Sequence, residues 1–132
     1  QRLVRRLHKR KEKYILSKAE FESLARIVDV GRVLKILKDE KIVGPKDTWG
    51  TIPFYKQKTS AESEDGYSGR VGIHEVFKVT QTIRNLVMSG GTTDAIENQA
   101  KKEGMVTMIE DGIFKAVQGI TTIEEVLRVV SE

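Results

Sequence analysis

Four consecutive helical segments, each opened by a threonine or closed by a glycine, occupy the C-terminal half of the chain and restrict what it can fold into. Thr80 precedes a segment over about 81–89, where Ile83, Leu86 and Val87 share a face before Gly90-Gly91. Thr92 or Thr93 opens about 94–103, with Ile96 and Ala100 one turn apart, and Gly104 stands where a helix C′ residue favours positive φ. Thr107 opens about 108–118, with Ile109, Ile113, Ala116 and Val117 facing inward and Gly119 ending the run. Thr121 with Glu124 reads as a capping box ahead of Val126, Leu127 and Val130. Helices this short bury little alone, so they must pack on one another or on a sheet.

The N-terminal half is more varied. Ser17 with Glu20 is a second capping box, and Phe21, Leu24, Ala25 and Val28 predict a helix from about 18 to 28. Val33, Leu34 and Leu37 predict another over about 31–40, stopped by Gly44-Pro45. Short mixed patterns around Phe54-Tyr55 and Val71 to Phe77 read as two antiparallel strands, roughly 52–58 and 70–77, paired as a hairpin at about 52–77. The connection between them, Lys58 to Gly69, is rich in Ser, Glu, Asp and Gly and is far longer than an ordinary hairpin turn. The expected class is therefore α+β: a small, mainly helical unit with a two-stranded antiparallel hairpin. Residues 14–132 form that helical unit, and residues 1–13 form a separate basic segment.

Charge is concentrated in that segment. Arg2, Arg5, Arg6, Lys9, Arg10, Lys11 and Lys13 face only Glu12, a net of +6, whereas the whole 132-residue chain carries +4. Such a run suits a polyanion or an anionic surface, yet Leu3, Val4 and Leu7 recur at helical spacing and suit a helix with one face in water. There is no aromatic interleaving and no helix-turn-helix pattern, so a nucleic acid partner is not expected. A basic nucleic-acid-binding module and a stand-alone protein-interaction domain are the alternatives to the reading below.

Several chemistries are excluded. The chain has no cysteine, hence no disulfide, no thiolate nucleophile and no Cys-ligated zinc. It has no Gly-x-x-x-x-Gly-Lys-Ser/Thr run to cradle nucleotide phosphates. His8 and His74 lie on separate segments without metal spacing, and Ser68, His74 and Glu75 are neighbours in sequence without triad geometry. Glu62, Glu64 and Asp65 lack the alternation and glycine of a calcium loop. Ser89 to Thr93 places glycines before a helix, as ordinary turns and caps do, and Met105 and Met108 are expected to fill the core. No catalytic, cofactor-binding or metal residue is assigned. In Gly66-Tyr67-Ser68-Gly69-Arg70 a ring and a guanidinium stand between glycines just before a strand; Arg70 is free to reach a phosphate across an interface or to pair with a local carboxylate. Gly66, Gly69, Gly104 and Gly119 are the expected structural turns.

Gly66-Tyr67-x-Gly69-Arg70-x-Gly72-Ile73-x-Glu75, then Ile83-Arg84-x-Leu86, then Gly104-Met105-x-Thr107-Met108 with Asp111-Gly112, Lys115-Ala116, Gly119, Thr121 and Glu124-Glu125-Val126-Leu127-Arg128, form a long ordered pattern. It resembles the C-terminal region of the secretion ATPases that drive type IV pilus assembly and type II secretion. The opening Gln1-Arg2-Leu3-Val4-Arg5-Arg6-Leu7 resembles the end of their RecA-like motor core. The resemblance implies a cytoplasmic hexameric ATPase associated with an inner-membrane platform protein. The Walker motifs, ATP and Mg would belong to a core upstream of Gln1, and this chain would be a non-catalytic part contacting that core and neighbouring subunits, with Arg70 at an intersubunit or phosphate-sensing position. Many relatives carry two cysteine pairs that bind structural zinc. Here the matching stretches hold His8 and Lys11, then Thr59 and Glu62, so the long loop must be mobile or held by contacts other than metal.

Overall fold

The structure is a computed structural model describing residues 1–131, and among these it has four strands and six helices. In chain order these are β1 (Arg2–Leu7), β2 (Lys11–Ile15), α1 (Lys18–Ala25), α2 (Val30–Asp39), β3 (Pro53–Gln57), β4 (Tyr67–Ile73), α3 (Gln81–Met88), α4 (Thr93–Lys102), α5 (Met108–Val117) and α6 (Ile123–Val130). The α+β class holds, and the sheets are antiparallel and two-stranded.

The partner of each strand differs from the expected hairpin. β3 and β4 both form, close to the predicted spans, but β3 pairs with β2 and β4 pairs with β1. The basic N-terminal segment is extended, not helical. Residues 2–15 run as a strand interrupted at 8–10, opposite a return path over 53–73 that is interrupted by the long loop. The physical reason is that a loop of this length gives β3 and β4 no close turn, whereas β1 and β2 offer each a full-length partner. Val4 and Leu7 are both buried although three residues apart, on either side of a register shift between Arg5 and Leu7. That spacing is what makes the segment read as helix. The extra residue lies on β4, where Ser68 and Gly69 stand opposite Arg6 and Gly69 has φ +77°, the geometry of a bulge.

Local capping explains the helices. Ser17 Oγ accepts from the Glu20 N–H at 3.2 Å while Glu20 Oε1 accepts from the Ser17 N–H at 3.0 Å, and Thr107 with Glu110 repeats the arrangement on α5. Thr80 and Thr92 cap α3 and α4. Two expectations need correction. α6 is capped by Thr122, whose Oγ1 accepts from the Glu125 N–H at 3.0 Å, and Thr121 instead donates to the Arg5 carbonyl at 2.8 Å. α2 ends before Gly44-Pro45, because Lys41 at φ 58° already turns the chain out of the helix.

The main core joins Val33 and Leu37 of α2 with Trp49, Ile52, Phe54 of β3, and Ile113 of α5. Trp49 stacks on Phe54 (ring centroids 6.4 Å apart, planes at 19°) and its Nε1–H donates to the Val30 carbonyl at 3.2 Å. A smaller cluster, Val4, Ile73 and Val129, lies under the β1–β4 ribbon. A third, Ile83, Ala100 and Met105, holds α3 against α4. α5 and α6 approach closely at Gly112, where a Cβ would come within 2.4 Å of Val126 Cγ1, so only glycine fits.

Candidate functional site: the arginine ribbon and its buried carboxylate

The sequences of β1 and β4, RLVRRL and YSGRVGI, contain four arginines and no acidic residue. The register sets Arg5 directly opposite Arg70, and like charges facing each other across a ladder destabilise it. One of the two is neutralised. Glu125, 1% exposed at its side chain, accepts five hydrogen bonds: from the Arg5 N–H, Nε and Nη2 at 2.9–3.0 Å, and from Arg128 Nε and Nη2 at 3.1 and 2.7 Å. Burial by itself raises a carboxyl pKa, but hydrogen bonds from Arg128 and Arg5 outweigh it and hold Glu125 down at about 2. The Arg5 guanidinium also lies 4.3 Å from the centroid of the Tyr67 ring. Tyr67 Oη shares a 3.0 Å hydrogen bond with Thr122 Oγ1, and burial pushes its own pKa up. β1, β4 and the start of α6 thus meet at one charged node.

Arg70 is exposed and its side chain has no ion pair or hydrogen bond among the described residues, so the structure puts it in solvent beside a paired arginine. Gly66 and Gly69 flank Tyr67 on the same ribbon with φ +80° and +77°; Gly104 (φ +101°) follows α4 and Gly119 (φ +77°) follows α5. Gly66 is also sterically required, since a Cβ there would meet Gln57 Cβ at 2.6 Å. The expected residues therefore do not form one cluster: Gly66, Gly69 and Arg70 share the ribbon, and Gly104 and Gly119 end separate helices. Sequence reasoning singled out the Tyr67 ring but missed Glu125 and Arg5, with which that ring forms the node. The available signal was a Glu-Glu pair at the head of α6, where one acid suffices for the helix dipole.

The long loop is tethered by polar contacts. Glu62 Oε2 faces His8 Nε2 at 3.5 Å and its Oε1 faces Arg10 Nη2 at 3.4 Å, while His8 Nδ1 accepts from the Arg10 N–H at 3.2 Å. Ser63 Oγ donates to the Tyr67 carbonyl at 2.7 Å. Of the four positions expected from the resemblance to stand where cysteine pairs would, His8 and Glu62 face each other, and Lys11 turns away to the Gly119 carbonyl at 2.7 Å. Among the described residues no group of three or more histidines and acids could hold a metal, so a structural zinc does not fit here. No helix is long and apolar enough to cross a membrane among the described residues.

The model of the family described as Type II/IV secretion system protein matches residues 1–128, and the chain belongs to this family of secretion and pilus-assembly ATPases. The chain is 41% identical over 88 residues to the type IV pilus assembly ATPase PilB of Pseudomonas aeruginosa, covering 67% of this chain and 16% of that protein. It is 43% identical over 83 residues to type II secretion system protein E of Xanthomonas campestris pv. campestris, 63% of this chain and 15% of the relative. With PilB of Thermus thermophilus it shares 48% over 62 residues, 47% of this chain and 7% of the relative. It therefore spans well under a quarter of the length of these relatives.

Proposed function

We propose that this chain is the non-catalytic C-terminal part of a cytoplasmic hexameric ATPase that powers type IV pilus assembly or type II secretion. ATP and Mg would be bound by a RecA-like core outside these residues, since the sequence contains no Walker A run. The observation that carries the reading is the Glu125 node. β1, the strand that resembles the end of the motor core, is joined to α6 by three hydrogen bonds from Arg5 to one buried carboxylate, which Arg128 of α6 holds in place. A shift of that strand during a nucleotide cycle would drag the C-terminal helices with it. Its partners would be the motor core, neighbouring subunits at Arg70, and an inner-membrane platform protein.

The test is the reading frame upstream of Gln1 and the turnover of the polypeptide it encodes. A phosphate-binding loop upstream, ATP hydrolysis by the longer polypeptide and none by this chain are expected. In the longer polypeptide, Arg70→Ala should lower nucleotide-stimulated turnover more than it lowers folding. A start codon near Gln1 with no such loop would overturn the reading.

A further inference from the structure

The two edges of the β1–β4 ribbon are treated differently. In an antiparallel pair, residues alternate between those that exchange both ladder bonds and those whose N–H and C=O point away from the partner. Arg5 is of the second kind: its N–H goes to Glu125 and its carbonyl accepts from Thr121. Leu7 donates its N–H to the Ile120 carbonyl at 2.8 Å. The outer edge of β1 is thus covered at Arg5 and Leu7 by residues 120–125. Because Arg70 is opposite Arg5 and Gly72 opposite Leu3, the N–H and C=O of both Arg70 and Gly72 point to the outer edge of β4.

That edge is closed at its ends and open in its middle. Tyr67 donates to Asp65 Oδ1 at 3.0 Å and accepts from Ser63 Oγ. At the other end His74 donates its N–H to Asp111 Oδ2 at 2.9 Å. Between them, the outward groups of Arg70 and Gly72 meet no partner among the described residues. The carboxylates at the two ends are already engaged, Asp65 with the Tyr67 N–H and near Arg5 (3.9 Å), Asp111 with Lys115 at 2.6 Å. The uncompensated charge at the opening is the Arg70 guanidinium, with exposed Arg6 on the facing strand.

We propose that the open edge of β4 docks an extended, acidic polypeptide segment, which adds as a third strand at Arg70 and Gly72 and sets a carboxylate against the Arg70 side chain. Main-chain pairing supplies the register and the arginine selects the charge. The choice of an acidic occupant rests on charge complementarity: neither strand holds an acid, and Glu125 neutralises Arg5 but not Arg70. This reading rests on the ribbon alone and stands whether or not the ATPase reading does.

The probe is a fluorescent alternating Thr-Glu peptide of about eight residues, with Thr-Lys and single-stranded oligonucleotide counterparts, titrated into the 132-residue chain by anisotropy. The Thr-Glu peptide should bind, the Arg70 and Gly72 amides should gain protection from exchange, and Arg70→Ala should weaken binding about tenfold. Arg70→Glu should exchange the preference to the Thr-Lys peptide. Arg70 is exposed, so these variants keep the fold. Absence of binding would leave Arg70 as a guard against edge-to-edge aggregation and overturn the proposal. Binding without protection of the two amides, or a preference for the oligonucleotide, would overturn it as well.

Discussion

The two ribbons share one topology and are held by opposite physics. β2–β3 rests on the main core through Phe54, fully buried, with Tyr14 and Trp49 packed against it (centroids 6.3 and 6.4 Å away). β1–β4 has beneath it the smaller cluster of Val4, Ile73 and Val129, with Val71, Met108 and Val130 packed on it, and relies on the Glu125 node. Apolar packing is indifferent to pH and nearly so to salt, whereas a buried carboxylate shared by two arginines is sensitive to both. A strand held by ionic bonds sits in a defined place yet can be released without opening the core.

The sharpest break of this contrast is Phe54→Ala. Removing a fully buried ring next to Trp49 and Leu37 should cost about 4 kcal/mol in chemical denaturation, with a penalty unchanged between low and high salt. A cost under about 1 kcal/mol would mean that β2–β3 is not part of the core. The second test is acid. Glu125 is held at about 2 against the usual carboxylate value of 4.5, so its contribution is fully present above about pH 4.5 and is lost as the pH falls toward 2. The shift corresponds to at most roughly 3 kcal/mol, and less in practice because Arg5 and Arg128 are each about half exposed to water. Glu125→Gln should flatten that dependence. Amide exchange should show β1–β4 opening on acidification before β2–β3; simultaneous opening would refute the contrast.

How much of this the sequence disclosed depends on range. Ser17 and Glu20, or Thr107 and Glu110, lie three residues apart and specify a helix start that no distant contact can alter. Strand pairing is different: nothing near Phe54 states that its partner is Tyr14, about forty residues earlier and across two helices. The expected hairpin failed for that reason, and so did the helical reading of Leu3, Val4 and Leu7, whose spacing fits a helix as well as a strand beside a bulge. Glu125 was hidden by Glu124, since two adjacent acids at a helix start look alike until Arg5 arrives from 120 residues away. Gly112 was legible only as part of a pattern; its function is to let α6 approach. Gly112→Ala should therefore cost about 2 kcal/mol through overpacking against Val126, seen as a lower melting temperature without loss of helical signal. An unchanged melting temperature would show that α6 can shift outward freely.

The smallest expected effect concerns the loop over 58–66. Glu62 is half-exposed and meets His8 and Arg10 at 3.5 and 3.4 Å, distances of an ion pair partly hydrated rather than of a tight bond. Such pairs contribute under about 1 kcal/mol, and loop closure depends only weakly on loop length. Glu62→Ala should accordingly leave the denaturation midpoint almost unmoved. Its effect should instead be local, with faster amide exchange at Ser60 and Ser63, whose mutual hydrogen bonds of 2.9 and 3.3 Å form the turn that Glu62 tethers to the 8–10 connection between β1 and β2. High salt should reproduce that change in the unaltered chain, because it screens the same pair. If Glu62→Ala lowered global stability by as much as the loss of Glu125, the loop would belong to the ionic ribbon itself, and the boundary between a firmly held strand and its solvent-exposed connection would have to be moved outward to residue 58.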